Sequence, residues 1–113
     1  FLFYCLINKS NLFDAYLAVS PNLAFDDGSM VNELLFMEVD KISKEKFVYL
    51  SFADEEWYCW RESSLKTINI LESQPFREII CFQYDDFSKN ENHGTTYPIS
   101  VFYGLKNYFT SYK

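Results

Sequence analysis

The chain has 113 residues, 49% of them hydrophobic and 20% aromatic, which is enough apolar material for one packed core and too much for intrinsic disorder. A formal charge of −6 argues against the clustered basic footprint of a nucleic-acid binder and against an anionic membrane surface as partner. Three dispersed cysteines (Cys5, Cys59 and Cys81) and a single histidine exclude a structural zinc site, and no apolar run approaches the length of a membrane span.

The chain opens on "FLFYCLINKS", an apolar helical stretch over 1–9. It has no basic leader, no small-residue cleavage site, no initiating Met and no helix N-cap, so it reads as an element begun earlier and the chain as a piece of a longer protein. "AYLAVS" (15–20) follows as a near-continuous apolar run, the pattern of a strand covered on both faces in a parallel sheet. A helix is expected over 30–43, where Met30, Val31, Leu34, Leu35, Val39 and Ile42 recur at three-, four- and five-residue steps. "KFVYLSF" (46–52) is the second strand. Trp57, Trp60, Leu65, Ile68 and Leu71 then form a helical stripe over 57–72, closed by Pro75. "EIICFQY" (78–84) is the third strand. A last helix has Pro98 in its first turn and sets Val101, Phe102, Leu105, Tyr108, Phe109 and Tyr112 on one face. Gly104 weakens that helix unless close packing requires it.

Strands alternating with helices imply right-handed βαβ crossovers and a parallel sheet. The expectation is α/β: about three parallel strands flanked by about four helices, over 1–113 as a single incomplete domain. Each cysteine has aromatic or aliphatic neighbours and reads as a buried reduced thiol, which leans towards the cytoplasm while leaving the compartment open.

Ligands of parallel sheets bind at the carboxyl ends of the strands. Three polar clusters fall there: "SPNLAFDDGS" after the first strand, "ADEEW" after the second and "DDFSKNENHG" after the third. Asp26, Asp27, the trio Asp54, Glu55 and Glu56, and His93 are therefore expected on one edge. An acid on one loop and a histidine on a later one is what a catalytic triad requires, because the acid fixes the imidazole tautomer and stabilises the imidazolium. The acid-then-histidine order agrees with that of the α/β-hydrolases. A nucleophile is missing: there is no G-x-S-x-G, and the only glycines are Gly28, Gly94 and Gly104.

Here a family resemblance enters. "LFDAYLAVSPNLAFDD" is similar to the stretch after the nucleophile elbow in the putative-esterase branch of the α/β-hydrolases, which includes esterase D-like and enterochelin-type siderophore esterases. There a helix leads to a strand ending in Ser-Pro, here Ser20 and Pro21. "KFVYLSFADEE" resembles the next strand and its acid loop. "NENHGTTYPISVFYGLKNYF" resembles the final histidine loop and terminal helix. The likeness covers nearly the whole chain and is most specific over its last 25 residues. It implies a partial α/β-hydrolase fold, truncated after the elbow, with His93 as catalytic base and Glu55 or Glu56, about level and ahead of Asp54, as the acid. It implies a small-molecule ester substrate for the intact parent, and no metal or organic cofactor. The family often has glycine where this chain has Ala53, so the acid loop is shaped differently. Some siderophore esterases rely on a Ser–His pair with little help from an acid.

Each feature also has a plainer reading. A lone histidine is by default a polar loop residue, and "DEE" a solvated turn placing negative charge at the start of the next helix. Asp26, Asp27 and Ser29 read as turn and capping residues, Trp57, Tyr58 and Trp60 as core or cleft wall, and Tyr97 as a packing residue in preference to one at the cleft edge. Two functions are expected in competition. One is the histidine-bearing part of a serine ester hydrolase, inactive without the upstream half. The other is a non-catalytic α/β module that self-associates through an exposed sheet edge or pairs with that half.

Overall fold

The computed structural model describes residues 1–53 and 58–112, with the backbone alone for 58, 59, 111 and 112. The element order is α1 (Leu2–Asn8), β1 (Ala15–Val19), α2 (Phe25–Leu35), β2 (Lys46–Phe52), α3 (Tyr58–Glu72), β3 (Ile80–Asp86) and α4 (Thr96–Asn107), followed by a π-helical turn at Tyr108–Tyr112. The strands form one parallel sheet in the order β1-β2-β3, with Ala15 opposite Phe47 and Lys46 opposite Ile80. The expected α/β architecture is what the chain adopts.

Only β2 is buried along its whole length. The outer strands are half-buried, because each has one neighbour in place of two. On one face Tyr16, Ala18, Val48, Leu50 and Phe52 pack with Phe3 and Leu6 of α1, Val31 and Leu34 of α2, and Ile68 and Leu71 of α3. This is the core. The other face carries α4, which packs against β1 and β2.

Three expectations are corrected. The helix expected over 30–43 ends at Leu35, and Val39–Lys41 form a separate 3-10 turn. The five-residue step from Leu34 to Val39 turns roughly 140° around a helix, so one face cannot hold both. Before that helix becomes regular, Asp26, Asp27 and Gly28 take left-handed backbone (φ 54°, 53° and 74°), a conformation aspartate and glycine tolerate best. The third strand starts two residues later than expected, because Phe76–Glu78 make a 3-10 turn after Pro75.

The third correction concerns α4. Most of its apolar stripe does not face the sheet: Phe102 is 58% and Phe109 60% exposed, and Val101 and Leu105 are also exposed. Tyr108 is half-buried, with its ring centroid 5.4 Å from that of Phe47 in β2, and the Tyr112 side chain lies outside the described residues. The buried face is Thr96, Ser100 and Gly104, spaced four residues apart. Ser51 Oγ donates to Ser100 Oγ (2.7 Å), and Ser100 and Thr96 hydroxyls share a bond of 3.0 Å, so these buried polar groups satisfy one another. A Cβ on Gly104 would stand 2.7 Å from Leu17 Cδ2 and 3.1 Å from Tyr49 Cδ2. Close approach of helix to sheet selects small residues there and turns the large ones outward. In α3, likewise, Leu65 is exposed while Ser64 and Thr67 are buried.

Gly104 therefore yields a graded prediction. Leu17 is half-buried and its methyl can swing aside, whereas Tyr49 is fully buried and donates from its hydroxyl to Asp85 Oδ2 at 2.7 Å. Gly104→Ala gains up to about 1 kcal/mol of helix propensity, but its Cβ meets Leu17 Cγ at 3.0 Å and the fixed Tyr49 ring at 3.1 Å, so it lowers stability by up to about 1 kcal/mol net. Gly104→Val presses on Tyr49 and lowers stability by about 1–3 kcal/mol, read from urea unfolding.

Candidate active site

Because the sheet is parallel, the segments after Val19, Phe52 and Asp86 leave from one edge. The first turns sharply. Ser20 has φ 45°, its N–H donates to Ser51 O at 2.9 Å, and its buried hydroxyl has no hydrogen-bond partner among the described residues. Asp26 and Asp27 lie further along this segment, exposed in the left-handed turn. The second segment leaves through the buried Ala53. The candidate acids Asp54, Glu55 and Glu56 lie outside the described residues, as does Trp57. The backbone is described again from Tyr58, in the first turn of α3.

The third segment, 87–95, carries the histidine. Phe87 N–H donates to Phe52 O (2.8 Å), which ties the start of the loop to the end of β2. Asn90 and Glu91 N–H groups both donate to Phe87 O, folding the chain back. Asn92 then organises the turn into α4: its Oδ1 accepts from Gly94 N (2.8 Å) and Thr95 N (3.2 Å), and its N–H donates to Thr95 Oγ1 (3.0 Å). His93 sits between Asn92 and Gly94, exposed, with its ring centroid 5.2 Å from that of Trp60 at 60°. An edge-on aromatic contact of this kind restricts the imidazole without enclosing it. The histidine thus stands against the first turn of the helix that the acid loop enters.

A second cluster lies at the foot of the same loop. Arg61 NH1 donates to Ser88 Oγ (2.6 Å) and NH2 to Asp86 Oδ2 (2.9 Å). Asp86 Oδ1 accepts from both the N–H (2.9 Å) and the hydroxyl of Ser88. The guanidinium carbon lies 5.0 Å from the Phe52 ring centroid. Burial by itself pushes the Asp86 carboxyl up, but the bonds from Arg61 and Ser88 outweigh it and hold the group below the usual carboxylate range. On the α4 face, burial and then the bond to Asp85 drive the Tyr49 phenol well above its ordinary value, so it stays a neutral donor.

Sequence reading did not single out Arg61, Asp86 or Ser88. The D-x-S spacing signals a local turn, but nothing in the sequence links it to an arginine 25 positions away from Asp86. Beside β1 lies an apolar groove of about 740 Å³, walled by Leu17, Val19, Pro21 and Phe25 and by Tyr97 and Val101 of α4. Tyr97 therefore edges a cleft, 52% exposed, rather than packing inside. Among the described residues no group of acidic, histidine or cysteine side chains is arranged to hold a metal. Cys5 is a buried free thiol as expected, and Cys81 is free but only half-buried. No helix among the described residues is long and apolar enough to cross a membrane.

No family model matches the sequence, and no curated protein does. Solved structures do. The BES protein from Bacillus cereus superposes with a TM-score of 0.74 at 20% identity, over 93% of this chain and 39% of that one. The siderophore hydrolase EstB from Aspergillus nidulans gives 0.70 at 16% identity, over 95% of this chain and 43% of its own. The siderophore hydrolase EstA from the same organism gives 0.63 at 18%, over 93% and 42%. The likeness shows the fold: the sheet and helices of this chain are laid out as in a part of these three structures. The chain spans about two-fifths of their length.

The Arg61–Asp86 pair has a definite pH signature. A carboxyl held low in the folded state contributes stability that is complete above the unfolded value of about 3.9 and disappears as pH falls through the folded value. Both side chains are more than a third exposed, so the contribution is small. Asp86→Asn should lower stability by roughly 0.5–1 kcal/mol near pH 6, with the gap to wild type narrowing as pH falls below the unfolded value of about 3.9, in parallel urea titrations.

Proposed function

We propose that this chain is the histidine-bearing, C-terminal part of a serine carboxylic-ester hydrolase. His93 is its general base and Glu55 or Glu56, ahead of Asp54, the orienting acid. The observation that carries the reading is the position of His93. It follows the last strand of a hydrolase-like sheet and lies against Trp60, in the first turn of the helix entered from the acid loop.

The chemistry follows from that placement. A serine hydroxyl attacks the ester carbonyl while His93 takes its proton, and the tetrahedral intermediate expels the alcohol as His93 returns the proton to it. Water then attacks the acyl-serine by the same route, releasing acid and restoring the serine. The acid loop keeps the imidazole in the tautomer that presents its acceptor nitrogen to the serine. Neither a G-x-S-x-G nor an assigned oxyanion hole is found in these 113 residues, so the nucleophile and its N–H donors come from elsewhere in the parent. The groove beside β1 supplies an apolar wall for a small-molecule ester. This mechanism calls for no metal or organic cofactor.

A second reading has its own support. β1 and β3 are both edges of the three-stranded sheet. Beside the β1 edge, half-exposed Leu17 and Val19 adjoin the exposed Tyr97 and Val101 of α4. Such surfaces recruit partners, so a non-catalytic assembly module would pair through this edge with a second copy or with the missing half.

Two assays decide between them. This chain alone should not turn over p-nitrophenyl esters, and turnover abolished by His93→Ala would overturn the need for an outside nucleophile. In a longer chain carrying the serine, His93→Ala should lower kcat about 10²–10⁴-fold with KM little changed, and full activity of that variant would remove His93 from the mechanism. For the assembly reading, light scattering should report dimers or larger species at micromolar concentration. A stable monomer with no esterase activity in the longer chain would leave neither reading standing.

A further inference from the structure

We infer that Arg61, acting together with Trp60, is a positioning clamp that fixes the His93 loop onto α3. Its catalytic meaning rests on the reading of His93 as the base. Its structural content does not.

The clamp has two points of attachment. Arg61 grips the foot of the loop: its planar fork reaches the Ser88 hydroxyl at 2.6 Å and an Asp86 oxygen at 2.9 Å, while Asp86's other oxygen closes on Ser88. One guanidinium therefore holds both ends of the Asp86–Ser88 turn, a task that needs two donors in a fixed plane. Phe52, the last residue of β2, lies against its face. Trp60 meets the tip, with its ring against that of His93. Consecutive helical residues point about 100° apart, so the pair Trp60-Arg61 spans the loop from tip to foot as no single side chain would.

Stability is a poor explanation for this arrangement. The Arg61 and Asp86 side chains are 39% and 36% exposed, and ion pairs at that exposure contribute little. Position is the better one. The loop has to hold an imidazole for proton transfer, and a misplacement of about 1 Å costs on the order of 100-fold in rate. Asp86 has both carboxylate oxygens engaged by Arg61 and Ser88, which marks it as part of the clamp rather than as an acid for His93.

His93 is the only histidine in the chain, so its ring C–H signals are the only histidine signals in the NMR spectrum. In wild type they carry a ring-current displacement from Trp60, which Trp60→Leu removes. The decisive variant is Arg61→Gln, which keeps Trp60. Its His93 signals should move at least half-way towards those of Trp60→Leu, while the amide signals of β1 and of the parts of β2 and α3 away from Arg61 stay in place. Arg61→Lys, which keeps the charge and loses the fork, should recover less than half of the displacement. Arg77→Gln, on an exposed arginine elsewhere, should change nothing.

Should Arg61→Gln not fold, Asp86→Asn with Ser88→Ala removes the same grip from the loop side and should give the same displacement. His93 signals at wild-type positions in a folded grip variant overturn the clamp, whatever the activity of the parent. In the longer chain carrying the serine, Arg61→Gln should lower kcat about tenfold or more at unchanged KM. A displaced His93 ring with undiminished kcat would overturn the catalytic meaning of the clamp. Loss of activity in His93→Ala tests the esterase reading separately, so the two failures are distinguishable.

Discussion

Both outer strands hydrogen-bond into the sheet through β2, and every residue of β2 is buried. This single strand sets the geometry of the rest. Its parallel ladders to Ala15–Val19 and Ile80–Asp86 bring the ends of all three strands to one edge. The peptide groups of Phe52 and Ser51 then reach beyond the ladder, accepting from Phe87 and Ser20 and so directing the first steps of the outer loops. A site built on those loops inherits its placement from β2, because the buried peptide groups there have no water to bond instead and are costly to leave unpaired.

The two faces of the sheet solve different problems. The core face is filled by large apolar side chains from α1, α2 and α3 packed against those of the strands. The α4 face is built on close approach, with Thr96, Ser100 and Gly104 set against Leu17, Tyr49 and Ser51. That contact turns Val101, Phe102 and Leu105 of α4 outward and makes Tyr97 and Val101 a wall of the groove beside β1. The same packing choice that seats the helix thereby leaves an apolar surface available to a substrate or a partner chain.

The histidine loop is held by local and distant means of different character. Asn92 and Thr95 organise the turn around His93 through bonds that span no more than three residues. Arg61 and Trp60 reach it from another element, and their contacts exist only because α3 and β3 pack side by side. The first kind of contact shapes the loop, and the second places it. The proposed role of His93 as a base would need both, because correct ring orientation is of no use at the wrong distance.

The α/β class, the three strands and the edge at which the loops gather were legible from apolar runs and their alternation with helical stripes, since these periods follow from backbone geometry alone. His93 was legible as a candidate by its place after the last strand. The inward face of α4 was not, because periodicity ranks faces by hydrophobicity, while a close helix–sheet contact selects for small size. The end of α2 was misread for a related reason: an apolar count does not register that a five-residue step leaves the face. The Arg61–Asp86–Ser88 grip was beyond sequence reading altogether, as its members are polar, ordinary and 25 positions apart. Sequence by itself determined which segments are strands and helices and on which edge their loops meet, because local periodicity and parallel connectivity suffice for that. Only the tertiary structure decided which helix face packs and which side chains hold the histidine, because both depend on distances between elements that no local pattern encodes.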